Sequence, residues 1–276
     1  MSVSAKEVNE LRKATGAGMM DCKKALVESN GDFDAAVEIL RKKGQKVAAK
    51  RADKESSEGS VFVSTSSDGS EGFMIALNCE TDFVAKNEEY VKLGENIINK
   101  VASEKPSSVE EIMALSIGGR SVNEHITDMI GKIGEKIEIS AFEHVKGEKV
   151  VPYIHLGSKL GVLVAMENTN GASVEDAAKD VAMQIAAMNP VALDKDGVDA
   201  EIIQKEIEIG KEQAKAEGKP DNLLEKIAMG KLNKFYKENT LLNQDFVKDG
   251  SMSVSKYLDS VSKGLTVTDF KRVSIG

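Results

Sequence analysis

From Phe73 to Glu80 the chain alternates with a period of two: Phe73, Ile75, Leu77 and Cys79 stand against Met74, Ala76, Asn78 and Glu80. That pattern predicts a strand with one buried face. Beyond it Val84, Val91, Ile97, Ile98 and Val101 recur at helical spacing, so the strand is expected to run straight into a helix. Thr81 or Asp82 would cap that helix, since a side-chain oxygen there can accept from an unpaired first-turn amide. Phe83 stands at the junction beside a carboxylate, where its ring either enters the core or reaches for a partner. Burying a phenylalanine is worth about 2 to 3 kcal/mol, so the pattern alone assigns it to the core. The same tripeptide recurs at Thr268-Asp269-Phe270 with no helix after it, so three residues make no signature.

Residues 1–44 read as three short helices. Ser4 with Glu7 forms a capping box, Gly16 and Gly18 break the first helix, and Asp21 can cap the second. Asn30-Gly31 ends the second, Asp32 or Asp34 caps a third, and Arg41-Lys42-Lys43 fall in its last turn. Residues 45–58, polar and basic, read as a linker. A hairpin turning at Ser67-Asp68-Gly69 then feeds the alternating strand. Helices are expected at 109–115 and 122–131, and a further strand through Ile137, Ile139 and Ala141.

A weak internal repeat organises the middle of the chain. Gly72-Phe73-Met74-Ile75-Ala76-Leu77 has a counterpart in Gly161-Val162-Leu163-Val164-Ala165-Met166, each after a short strand and before a helix. The two junctions differ, Thr81-Asp82-Phe83 in one and Asn168-Thr169-Asn170-Gly171 in the other, and a shared scaffold with one altered junction points to function there. Residues 198–238 are helical in pattern, broken once at Gly218-Lys219-Pro220, which predicts an antiparallel helical hairpin. Its distal stretch, 210–222, suits self-association or a solvated face equally. One more helix is expected at 253–261 and a last strand at 265–275. The resulting fold class is α+β: residues 1–44 as a helical binding module, 59–145 as a first core subdomain, 146–198 with 231–276 as a second, and 199–230 as an inserted hairpin.

Charge adds one fact to this picture. Residues 1–54 hold 12 Lys or Arg against 8 Asp or Glu, leaving 25 against 37 for the rest of a chain of net charge -8. A basic module thus joins an acidic body. Aromatic residues are only 4%, Trp is absent, and no basic strand is interleaved with aromatics, which argues against direct nucleic-acid binding. No apolar run approaches 18 residues and no secretory pattern opens the chain, so no membrane is expected and the cytoplasm is the default. Cys22 and Cys79 belong to no paired motif and read as small buried hydrophobes.

Catalytic signatures are missing. Each Gly-Lys pair is followed by Ile133, Glu212, Pro220 or Leu232, not by the Ser or Thr of a phosphate loop. His125, His144 and His155 are isolated from one another and from the cysteines, so neither a metal site nor a cofactor is expected. His155 reads as a half-buried strand histidine, and an enzyme built on it would lack a second group at useful spacing. By pattern, Met19, Met20 and Phe246 are core residues and Lys23 a solvated charge.

Several motifs in order nevertheless resemble a known family. They are the run from Leu11 to Leu26 that contains Thr15-Gly16-Ala17-Gly18-Met19-Met20-Asp21-Cys22-Lys23, then Asn30-Gly31-Asp32, Thr81-Asp82-Phe83-Val84-Ala85, Ile133-Gly134-Glu135, His155 with Gly161-Val162-Leu163-Val164, and Gln244 with Phe246-Val247. Over nearly its whole length the chain resembles bacterial translation elongation factor Ts, the guanine-nucleotide exchange factor for elongation factor Tu. The resemblance implies a ubiquitin-associated-like N-terminal module, a two-part α+β core and a hairpin that mediates homodimerisation in some members. It implies elongation factor Tu as partner, with contacts at Met19, Met20, Lys23, Ile133, Gly134, His155, Phe246 and Val247. It also implies that Thr81, Asp82, Phe83 and Val84 displace the magnesium ion of the partner's nucleotide site, and that the protein itself is not an enzyme. The last core strand is expected to end at Ile275-Gly276, without the C-terminal module of some members.

Overall fold

The N-terminal helices form because their ends are capped and one face of each is apolar. In the computed structural model, which describes residues 3–276, α1 (Ala5–Thr15) starts at a full capping box between Ser4 and Glu7 and stops at Gly16, whose φ of 67° is left-handed. The second helix, α2 (Met19–Glu28), is capped by the extended backbone of Gly18, and Asp21 lies in its first turn, paired with Lys43 at 2.5 Å. Asp32 then accepts from the Ala35 amide at 2.9 Å to start α3 (Phe33–Arg51). Val8, Leu11, Cys22, Ala25, Leu26 and Ala36 close a small core.

Two expectations change here. Asp21 does not cap α2, because Gly18 already occupies that position and Asp21 is used against Lys43. The third helix does not end near Lys43 in a linker either; it continues for 19 residues to Arg51. Its second half is stabilised by packing, with Val47 and Ala48 resting on the neighbouring core. Only residues 52–57 separate it from the first strand.

Two similar units make up the rest of the molecule. The first comprises β1 (Glu58–Thr65), β2 (Glu71–Cys79), the single turn α4 (Asp82–Ala85), α5 (Glu88–Glu104), α6 (Val109–Ala114), a small ladder of β3 (Ser116–Ile117) and β4 (Arg120–Ser121), α7 (Val122–Ile133) and β5 (Ile137–Lys146). Its sheet has the antiparallel order β1-β2-β5. The second comprises β6 (Lys149–Ile154), β7 (Leu160–Glu167), α8 (Glu175–Met188), the hairpin helices α9 (Ala200–Ala216) and α10 (Asp221–Asn239), a small ladder of β8 (Asp245–Phe246) and β9 (Asp249–Ser253), α11 (Val254–Val261) and β10 (Thr266–Ser274). Its sheet is ordered β10-β7-β6. In each unit a hairpin leads to a helix, and a later strand pairs with the free side of the hairpin's second strand.

Helices, sheet, sheet and helices stack as layers. Phe73, Ile75, Leu77 and Cys79 meet α5, α6 and α7, while Met74 and Ala76 on the other face of β2 meet Leu163 and Ala165 of β7. Val162, Val164 and Met166 point to α8 and α11. The expected single buried face of β2 is thus two, and eight of its nine residues are buried, because the second sheet covers what one sheet alone would leave to water. The repeat glycines belong to this contact: a Cβ on Gly161 would meet Val61 Cγ1 at 2.5 Å, and one on Gly72 would meet Val150 Cγ1 at 2.5 Å. The hairpin helices cross where Gly210 lies against Ala228. The second Thr268-Asp269-Phe270 sits inside β10 at a register shift between Val267 and Asp269, far from any helix start.

Candidate functional site

The strand-to-helix junction is shorter than its pattern suggests. Only Asp82 to Ala85 are helical before the chain turns at Lys86-Asn87, and α5 begins afresh with the Asn87 side chain accepting from the Glu89 amide at 2.9 Å. Thr81 stands at the N-cap position with extended backbone, yet its side chain makes no cap bond. On this short turn Val84 faces inward, being 7% exposed, and Ala85 beside it also packs on the first core. Phe83, the next position around the turn, is 82% exposed. The core assignment of Phe83 is therefore overturned by its neighbour's occupation of the inward position. Asp82 pairs with Lys86 at 2.6 Å, and that hydrogen bond holds its carboxyl below the usual carboxylate range, so it is an anion at neutral pH.

The junction is gripped from outside its own helix. Thr81 donates twice to Glu135, from its amide to Oε2 at 3.0 Å and from its hydroxyl to Oε1 at 2.8 Å. Reciprocally, the Lys136 amide donates to Glu80 Oε1 at 2.6 Å. Arg51, the last residue of α3, closes over both segments: its Nε donates to the Gly134 carbonyl at 2.8 Å and its guanidinium lies 3.4 Å from Glu80. Gly134, at φ 84°, ends α7 and lets the chain turn back toward the junction. Ile133, half-buried, anchors that turn to the first core.

The other expected contact residues lie on separate elements. His155 follows β6, is exposed and not half-buried in a strand, and its Nδ1 lies 2.9 Å from the Tyr153 hydroxyl. Its neighbour Leu156, at the tip of the β6–β7 turn, is 93% exposed. A groove of about 1180 Å³ runs between that turn and the junction, with Asp82, Ala85 and Lys86 on one side and Ile154 and Leu156 on the other. Met19 and Met20 are 54% and 61% exposed on α2, beside exposed Lys23, because the apolar face of α2 is supplied by Cys22, Ala25 and Leu26 instead. Phe246 is buried and stacked on Tyr257 at 4.0 Å between centroids, so it supports the surface from below. Val247 is the exposed member of that pair, its amide donating to buried Gln184 at 2.8 Å, and Gln184 in turn donates to Gln244 at 3.0 Å.

Glu80, Glu135, Arg51 and Leu156 were not assigned roles from the sequence. An apolar residue ahead of Gly157 in a turn was a readable signal for Leu156. Nothing local marks the two glutamates or the arginine, whose partners lie 29 to 83 residues away.

Among the described residues no group of three or more His, Cys, Asp or Glu is arranged to hold a metal ion, and no helix is long and apolar enough to cross a membrane. Cys79 is buried, which pushes its thiol up to about 11 and leaves it unreactive. What the site offers is an exposed aromatic ring and an anion on a clamped turn, beside an open groove. Such a surface is suited to binding a partner.

The family model described as Elongation factor TS matches residues 80–276. The chain is 58% identical over 275 residues to elongation factor Ts of Cytophaga hutchinsonii, covering 99% of both chains. It is 53% identical over 275 residues to that of Christiangramia forsetii, with 99% of each covered, and 51% identical over 276 residues to that of Amoebophilus asiaticus, covering all of both. Identity at that level over full length is far beyond what a shared fold alone would give, and the chain belongs to the elongation factor Ts family.

Proposed function

We propose that this protein accelerates release of guanine nucleotide from the GTPase elongation factor Tu, by binding the nucleotide-free state and displacing the Mg²⁺ ion of the partner's site with the Thr81-Asp82-Phe83-Val84 junction. The observation that carries this reading is Phe83, an aromatic ring 82% exposed on a turn whose backbone is clamped. A partner that covers the ring gains about 2 kcal/mol from its burial. Asp82, held as an anion by Lys86, would bring negative charge toward the phosphate and Mg²⁺ ligands, where it competes with the nucleotide for the ion.

Exchange requires more than affinity. A factor with equal affinity for loaded and empty states shifts nothing, so the junction must fit a pocket that is open only when nucleotide and metal have left. By linkage, returning nucleotide weakens the factor's grip by the same ratio, which makes the factor recyclable. One ring cannot supply the whole grip. Met19, Met20 and Lys23 on α2, Ile133 and Gly134 beside the junction, His155 next to the groove-lining Leu156, and Val247 supported by Phe246 are the remaining contacts in this reading. The test is release of fluorescent GDP from elongation factor Tu with and without the chain. Acceleration that saturates with factor concentration is expected; an unchanged rate despite stable binding would instead make the protein an adaptor.

A further inference from the structure

The second unit carries the same grip as the first without an aromatic to present. Thr169 donates from its amide to Glu148 Oε2 at 2.9 Å and from its hydroxyl to Glu148 Oε1, as Thr81 does to Glu135. After Thr169 the backbone is left-handed at Asn170 and Gly171, no helical turn forms, and α8 starts only at Glu175. A threonine gripped by a glutamate is thus a common device of both units for ending the middle strand. Only in the first unit does it carry a helical turn with an exposed ring.

An isolated turn of four residues has no helical stability of its own. The α4 turn lacks a side-chain cap, and its direction is set by Val84 in the core and by Thr81. Both polar groups of Thr81 end on the one carboxylate of Glu135, while Glu80 holds the Lys136 amide in return. From this geometry we infer that Glu135 is a positioning residue for nucleotide exchange: it fixes the direction of Phe83 without touching the partner. The inference rests on the exchange reading above. A glutamine at 135 keeps shape and size but carries no charge, so both bonds of Thr81 lose their charge assistance and the hydroxyl must accept from the amide NH2 instead of donating to a carboxylate.

The experiment compares wild type with Glu135→Gln and Glu148→Gln in GDP release at rising factor concentration, and measures amide hydrogen exchange at residues 81–83. For Glu135→Gln the maximal release rate falls about tenfold, the loss expected when both Thr81 bonds lose their charge assistance. Its half-saturating concentration stays within about twofold, and amides 81–83 exchange about tenfold faster. Glu148→Gln weakens the matching grip in the second unit and leaves the release rate unchanged, which separates positioning from general stability. A Glu135→Gln variant with full maximal rate, an equal loss in Glu148→Gln, or unaltered exchange at 81–83 would each overturn the inference. Wild type that fails to accelerate GDP release would overturn the exchange reading itself, and amide exchange would still decide whether Glu135 holds the turn.

Discussion

An exposed phenylalanine forgoes about 2 kcal/mol of burial, and at this junction nothing in the chain recovers it. Val84 fills the inward position and Lys86 occupies the Asp82 carboxylate, so Phe83 has neither pocket nor neighbour to fold against. Replacing it should therefore leave the free protein intact. Phe83→Ala is expected to shift folding stability by no more than about 0.5 kcal/mol while lowering the maximal rate of stimulated GDP release at least tenfold. Thermal unfolding and stopped-flow release measure the two effects, and a large loss of stability with unchanged release would refute this role for Phe83. That exposure was not legible in the pattern, because a period of 3.6 from Val84 to Val101 hides the break at Asn87. The Asn87 side chain restarts the helix, and Asn followed by Glu88-Glu89 is a start signal that the longer periodicity masked.

At the scale of elements, the strands and their hairpin turns were readable, since alternation is local and the Ser67-Asp68-Gly69 turn fixes the first register. The length of α3 was not. Residues 44–51 are glycine and mostly polar, and they stay helical because α7, some 85 residues away, packs against them. The crossing is close: a Cβ on Gly131 would lie 2.7 Å from Gly44 Cα. Gly131→Ala should push the helices apart and cost about 1 to 3 kcal/mol. Gly230→Ala, on exposed α10 with open space around its Cβ, should instead stabilise by up to about 1 kcal/mol. Chemical denaturation of both variants checks the contrast, and equal effects would mean that the crossing contributes nothing.

At the scale of the whole molecule, the two units share one interior between their sheets, so each loses core if the other unfolds. Near its edge Glu71, 13% exposed, is held low by a hydrogen bond from Lys105, with His144 and Lys146 adding to the effect. Capping carboxylates Glu7 and Glu124 are held low by Ser4 and Ser121. Each has a folded-state pKa below its unfolded value, so the stability it contributes is present above about pH 4.5 and is lost as pH falls through the folded value. Stability should decline on acidification below pH 4.5, and Glu71→Gln should be less stable at pH 7 with a shallower decline; an equally steep decline in the variant would remove Glu71 from the account. The continuous α3, pinned at Gly44 and Arg51, has a further consequence. At about 1.5 Å per residue, the stretch from Lys43, which pairs with Asp21 at the start of α2, to Arg51 makes a strut of roughly 12 Å between that end of α2 and the junction. A partner touched first at Met19 and Met20 then meets Phe83 at an effective concentration set by a rigid span instead of by a searching linker. On the exchange reading proposed above, the two contacts would act as one bivalent ligand of fixed spacing. Any change in the partner that alters the distance between its two docking points would then release both contacts together.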